Sequence, residues 1–217
     1  MQFGPGKKRS RGLHEHECQV EEEAHEAIQF DAILEDFMAR TRRLLVVGTI
    51  DELTAASVCS SLQLFSLRKD PVYMYINSPG GCLASGYAIV DQMLACRCPI
   101  YTVVRGQAYS MGAIIAAFGS KGCRFATPNS SLMLHPVIVQ SGPDAIDKHN
   151  EMTDHINMDY DRKVADLAKR LNVGKKQLKT IMQETRWMIP KQAIDIGLID
   201  GLWTPKLERS VSQSLQV

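Results

Sequence analysis

No apolar run in this chain approaches the ~20 residues that a helix needs to cross a bilayer; segments such as Leu44–Gly48 and Ala113–Gly119 are a fraction of that length. An excess of charge is missing as well. The 25 Lys and Arg offset 24 Asp and Glu to leave +1, so no long-range field draws the chain to nucleic acid or to a membrane. The residues after Met1, QFGPGKKRSRG, are basic and lead into no apolar h-region, which argues against a secretory signal. Acidity from Glu15 onward argues against an organelle transit peptide, and the expected location is the cytoplasm. Cysteine pairs at metal spacing are lacking too. None of the six cysteines (Cys18, Cys59, Cys82, Cys96, Cys98 and Cys123) forms a C-x-x-C, and Cys96-Arg97-Cys98 has no second half. Buried, reduced thiols are expected, with no metal and no organic cofactor. His14, His16 and Cys18 alternate like ligands, but their acidic, polar surroundings point to a solvated segment. A G-x-x-x-x-G-K-[ST] phosphate loop is also absent, so the chain brings no ATP hydrolysis of that kind.

What is present is an ordinary globular composition, 45% hydrophobic and 23% charged over 217 residues, which suits one domain. Residues 1–27 are polar and rich in charge, and read as a flexible arm. The spacing of Ile28, Phe30, Ile33, Leu34, Phe37 and Met38 predicts a helix. Leu44–Val47 reads as a buried strand closed by Gly48, and Asp51 to Leu67 as a helix capped by Asp51 or Thr54. A strand over Val72–Ile76 ends in the loop Asn77-Ser-Pro-Gly-Gly81. Helix 84–95, strand 99–104, helix 111–118, short strands at 124–126 and 132–134, and helices over 144–171, 175–184 and 190–196 follow. Residues 206–217 read as a polar C-terminal tail. The alternation of strand and helix predicts the α/β class.

The chemistry concentrates where strand Ile100–Val104 turns through Gly106 to Ser110 into an apolar helix. Small residues flank the serine, Ala108 before it and Gly112 after it, as a nucleophile on a crowded strand-to-helix turn requires. The pattern A-x-S-x-G matches only part of the G-x-S-x-G elbow, and a serine in this place can equally serve as a helix N-cap. The amide of Met111 at the helix start is a natural oxyanion donor, and Gly80 or Gly81 on the other strand-end loop can supply a second. A serine hydroxyl needs a base. His14, His16, His25, His149 and His155 lie in the polar arm or on the long polar helix, whereas His135 ends the apolar strand Leu132–Leu134. His135 is the candidate base.

Taken in order, Tyr75-Ile-Asn-Ser-Pro-Gly-Gly81, Gly106-Gln-Ala-Tyr-Ser-Met-Gly112, Pro128-Asn129, Met133-Leu-His135 and Gly197-Leu-Ile-Asp200 resemble the motifs of ClpP-type serine peptidases. The resemblance covers about Phe30 to Trp203 and implies the ClpP/crotonase fold, a spiral of stacked turns with a projecting helical handle over 144–171. It implies a peptidase domain over 28–205. It also implies Ser110 as nucleophile, His135 as base, and Gly81 and Met111 as the oxyanion donors. Two stacked heptameric rings acting on unfolded polypeptide, with an AAA+ unfoldase of Clp type as partner, follow from the same resemblance.

Three departures stand out. The family's third triad position, an aspartate, is Thr185 here, within Gln183-Glu-Thr-Arg-Trp187, with Glu184 as the adjacent acid. A threonine can fix the imidazole tautomer but cannot supply the charge whose neutralisation costs on the order of 10⁴ in rate among serine proteases. Weak or gated activity is therefore expected, and a weakly active or non-catalytic subunit completing a mixed ring is the alternative. Next, His135-Pro-Val-Ile-Val-Gln-Ser-Gly142 lacks the family's glycine pair, which predicts a stiffer strand along the substrate groove. Finally, the arm before Phe30 lacks the apolar loop that family members present to their ATPase.

Overall fold

The computed structural model describes residues 32–136 and 146–214. The arm 1–27, the first turn expected from Ile28, the segment after Pro136 with its stiffened strand, and the expected helix start at Asp144 lie outside the described residues. The chain divides between Thr41 and Arg42 into two units. In the first, helix α1 covers 32–40, with Arg40 paired to Asp36 and the Thr41 hydroxyl donating to the Phe37 carbonyl at 2.7 Å.

The second unit begins with strand β1, Arg43–Ile50, followed by helix α2, Glu52–Phe65. The Asp51 carboxylate caps α2 by accepting from the Thr54 amide, and hydrogen bonding from the Thr54 backbone and then its side chain holds the carboxyl below the usual range. Next come β2 (Val72–Gly81), α3 (Leu83–Ala95), β3 (Ile100–Tyr109) and α4 (Met111–Ala117). The short strands β4 (Arg124–Ala126) and β5 (Ser131–Leu134) lead to the 26-residue helix α5 (Ile146–Leu171). Helix α6 (Lys175–Gln183), strand β6 (Arg186–Met188), helix α7 (Pro190–Asp195), strand β7 (Gly201–Leu202) and helix α8 (Pro205–Ser214) complete the order.

The α/β class expected from the alternation holds. Strands β1-β2-β3-β4-β7 form a parallel sheet, and β5 pairs with β3 in parallel and with β6 antiparallel. Two strands run further than the sequence pattern predicts. β2 does not stop at Ile76 but continues through the Ser-Pro-Gly-Gly segment, and β3 continues past Val104 to Tyr109. The registers shift at Val47/Thr49 and at Ile76/Ser78, so bulges absorb the glycines while pairing resumes beyond them. β3 therefore changes partner along its length: Thr102–Val104 pair with β4, and Gln107–Tyr109 with β5.

Alternate strand residues divide the apolar surface. Val46, Met74, Ile76 and Val104 face the main core with α2, α3 and α4. Tyr73, Tyr75 and Val103 form a second cluster with Trp203 and Val211. The residues read as a polar tail thus include helix α8, which closes this cluster. Glu208 of α8 accepts from Trp203 Nε1 at 2.5 Å and from the Arg105 guanidinium, which also lies over the Tyr75 ring. The strands β6 and β7, three and two residues long, escape the sequence pattern because neither is long enough to show a period.

Candidate active site

Ser110 stands at the corner between β3 and α4 with φ 54° and ψ −120°. For a residue other than glycine this is strained backbone, of order 1–3 kcal/mol, held because the surroundings over-determine it. The Ser110 amide donates to the Met133 carbonyl at 2.9 Å, while the Ser110 carbonyl accepts from Ala113 and Ile114 at the start of α4. Both sides of the corner are therefore tied down. Although Ser110 occupies the N-cap position, its side chain makes no capping bond. Its Oγ lies instead 2.8 Å from Nε2 of His135.

His135 reaches that position by register. β5 runs alongside β3 with Ala108 beside Leu132 and Tyr109 beside Met133. Both strands end at the same level, and each hands its next residues to the same edge of the sheet. The alternation along β5 buries Leu132 and Leu134, and the half-buried His135 follows at the strand's end.

Thr185 sits one residue beyond the pairing of β5 with β6. The antiparallel partners are Leu132 with Met188, Met133 with Trp187 and Leu134 with Arg186. The pairing ends at Leu134 and Arg186, one residue short of His135 and Thr185. Thr185 is exposed, has φ 49°, and its amide donates to Met182 as α6 ends. Among the described residues, the Ser110 hydroxyl is the one hydrogen-bond partner of the imidazole. Glu184, the neighbouring acid, is the exposed C-cap of α6.

The two glycines at the end of β2 are there for space. A Cβ on Gly80 (φ 98°) would lie 2.7 Å from both Ser110 Cβ and the Tyr109 carbonyl oxygen. A Cβ on Gly81 (φ 155°) would lie 2.2 Å from the Ile50 carbonyl oxygen. Neither position tolerates a side chain, because in each case the obstacle includes backbone. The Gly80 amide donates to Ser78 Oγ, whose own hydroxyl donates to the Gly48 carbonyl at 2.6 Å. Fully buried Ser78 thus pins the loop to β1. Sequence reading missed this role, although a serine between apolar strand residues and a Pro-Gly-Gly turn was its signal.

Gly81, Ser110, Met111 and His135 line one open cleft of about 390 Å³, together with Leu83, Ile114, Leu134 and Met182. Cys82 also reaches this cleft. It is exposed at the N-cap of α3, where the Ser85 amide and then its hydroxyl hold the thiol below its ordinary pKa. Among the described residues the expectation of buried thiols is met by Cys98 alone, and Cys59, Cys96 and Cys123 are half-buried. Among the described residues no cluster of His, Cys, Asp and Glu could hold a metal ion.

The site rests on a charged brace. Arg124 of β4 grips Asp200 bidentately, Nε to Oδ2 at 2.8 Å and Nη2 to Oδ1 at 2.5 Å, and Nη1 reaches the Gly197 carbonyl at 2.9 Å. Burial alone would push the Asp200 carboxyl up, but the Arg124 hydrogen bonds and charge outweigh it and hold it below the usual range. Arg170 of α5 donates to the carbonyls of Ala117, Phe118 and Gly119, closing the far end of α4.

A hydroxyl beside an imidazole at a strained strand–helix corner, next to Pro-Gly-Gly, is the constellation whose motifs resemble one peptidase family, and comparison decides the matter. The Clp protease family model matches residues 25–206. The chain belongs to the Clp protease family. An ATP-dependent Clp protease proteolytic subunit of Leuconostoc citreum is 32% identical over 184 residues, 81% of this chain and 90% of that protein. Proteins of the same description from Ligilactobacillus salivarius and Streptococcus suis are 31% and 30% identical, over 78% and 76% of this chain and 86% of each relative. As a Clp family member the chain is a serine-type peptidase, and a non-catalytic subunit is not the favoured account.

Proposed function

We propose that this chain is the proteolytic subunit of an ATP-dependent Clp protease, and that Ser110, His135, Gly81 and Met111 carry out the hydrolysis. The observation that carries this reading is the 2.8 Å contact between Ser110 Oγ and His135 Nε2, made by a serine that leaves its helix uncapped. With Nδ1 protonated, Nε2 accepts the Ser110 proton as Oγ attacks the peptide carbonyl. The amides of Gly81 and Met111 receive the oxyanion. The imidazolium then protonates the leaving amine, and the acyl group remains as an ester on Oγ. A water that loses its proton to Nε2 hydrolyses the ester, and the proton returns to Ser110. Thr185, which the β5–β6 register carries towards His135, is the third member, its hydroxyl accepting from Nδ1–H.

The substrate is unfolded polypeptide, cut to short peptides by a peptidase domain over 28–205. The subunit works in two stacked heptameric rings, homomeric or mixed, with a Clp-type AAA+ unfoldase supplying the ATP hydrolysis. The names of the relatives support that coupling. We place the assembly in the cytoplasm, in keeping with five unpaired cysteines among the described residues. Among those residues no helix is long and apolar enough to cross a membrane.

A fluorophosphonate probe on the assembled protein tests the chemistry. Labelling of Ser110 that disappears in Ser110→Ala and is strongly slowed in His135→Ala supports it. A wild-type protein that stays unlabelled while fully folded overturns it.

A further inference from the structure

Helix α4 begins at the cleft and ends at a larger pocket. Phe118, its C-cap, lines a cavity of about 730 Å³ whose other walls are α3, α5 and Lys121. That volume lies within the ~300–1,000 Å³ usual for small-molecule sites. No residue lining it borders the Ser110 cleft.

Five cationic side chains line this pocket against two acidic ones. Two of the five, Arg162 and Lys163, share Asp159 at 2.9 and 2.5 Å. Lys121, Lys169 and Arg170 have no carboxylate partner among the described residues. Arg170 directs Nε and Nη2 at the carbonyls of Ala117, Phe118 and Gly119, covering the end of α4 that would otherwise repel an anion. Its Nη1 has no acceptor among the described residues. Burial, and then the neighbouring Arg124 charge, hold this guanidinium below its ordinary pKa. Lys169 adjoins Arg170 in α5, and Lys121 follows closely after Gly119, so all three cations gather at one end of the pocket. Cations short of counter-charge are a place for an anion.

The remaining walls indicate what the anion is attached to. The cavity has far more room than a bare phosphate or carboxylate fills. Ala84 and Ala88 of α3 present little bulk, and Val90 and Leu94 add apolar surface, Leu94 being 58% exposed. Asp91 and Asp166 are exposed and have no ion pair among the described residues. An ionised carboxylate only accepts hydrogen bonds, so the two of them select hydroxyl and amino groups. An anionic head, donors of that kind and an apolar body occur together in a nucleotide. We propose that this pocket binds a nucleoside phosphate. Lys121, Lys169 and Arg170 Nη1 hold the phosphate, Val90 and Leu94 receive the base, and ribose hydroxyls or a base amino group donate to Asp91 or Asp166.

Isothermal titration of the full chain in its assembled form, with AMP as the probe, tests this. AMP is expected to bind once per chain, with adenosine, ribose 5-phosphate and inorganic phosphate each about tenfold weaker or more. Ser110→Ala should bind AMP unchanged, which keeps the result independent of the peptidase chemistry. Lys121→Ala and Lys169→Ala, both at exposed positions, should each raise the Kd about tenfold, the usual cost of a charge-assisted hydrogen bond. Leu94→Glu, exposed as well, should abolish binding by setting a carboxylate against the base. Phosphate or ribose 5-phosphate bound as tightly as AMP overturns the nucleoside reading, and adenosine bound as tightly overturns the anion site. AMP that fails to bind at millimolar concentration, or that binds undiminished in the three folded variants, overturns the proposal.

Discussion

The Ser110 amide donates to the Met133 carbonyl at 2.9 Å, and through this main-chain bond the β3–β5 register sets the distance from Ser110 to His135. Two residues beyond Met133 the chain delivers the imidazole, and at the same level β3 turns into α4. The Ser–His contact is thus built from strand pairing, which is stiffer than any side-chain link. It follows that changes in the chemistry and changes in the frame should separate experimentally.

Replacing His135 by Gln tests the chemistry alone. The amide side chain is polar, fits the half-buried position and leaves the β3–β5 pairing intact. Peptide hydrolysis is expected to fall by a factor on the order of 10⁴ or more, while the thermal midpoint moves by no more than about 4 °C. Initial rates and a melting curve on the same sample check this.

The glycines test the frame. Gly80→Ala brings a Cβ to 2.7 Å from Ser110 Cβ at φ 98°, so the nucleophile must shift. Activity should fall by a factor on the order of 10² even though no reacting group is removed. Gly122→Ala is the comparison: its φ is 83° but its Cβ would meet nothing within 4 Å. That change should lower stability by about 1–2 kcal/mol and leave the rate per folded molecule unaltered. Equal losses of activity in the two variants would remove the packing explanation.

Thr185→Asp should raise activity. Threonine is β-branched and sits at φ 49°, a conformation that aspartate tolerates far better, so the substitution favours folding as well as charge. An aspartate that reaches His135 stabilises the imidazolium formed as the serine proton moves. We expect kcat/KM to rise by roughly tenfold or more, a part of the on-the-order-of-10⁴ effect of this charge in serine proteases. An unchanged or lower value would show that the register stops short of His135.

The Arg124–Asp200 brace makes a statement about acid. Because the folded carboxyl titrates below its unfolded value, its stabilisation is complete above the unfolded pKa and disappears as pH falls through the lowered folded pKa. Asp200→Asn leaves the Arg124 guanidinium, 6% exposed, without its counter-charge. A loss of about 3 kcal/mol at pH 7 is expected, shrinking as pH falls through the lowered folded pKa and the wild-type carboxyl protonates. Urea unfolding of both proteins across that range measures the difference.

Much of the site was legible before the fold. Ser110 stood out because a strand pattern broke into a helix pattern around it, and His135 because it was the one histidine ending an apolar strand. Met111 was legible as a helix-start amide, whereas the turn offered Gly80 or Gly81 and the family resemblance alone chose Gly81. The Asp51 cap of α2 was equally local, a carboxylate three residues ahead of the amide it satisfies. Ser78, by contrast, works through the Gly48 carbonyl 30 residues away, and nothing in its neighbours announces that partner.

The order of elements, the α/β alternation and the residue types able to do acyl chemistry were determined by the sequence alone, because each depends on neighbours within a turn or a strand. Which candidates meet was decided by tertiary structure. Strand registers brought Ser110 onto His135 and carried β2 through its glycines, and packing against Trp203 turned residues 205–214 into a helix. Register is a pairing between distant segments, settled by which faces bury together, and no local pattern in a single chain encodes it.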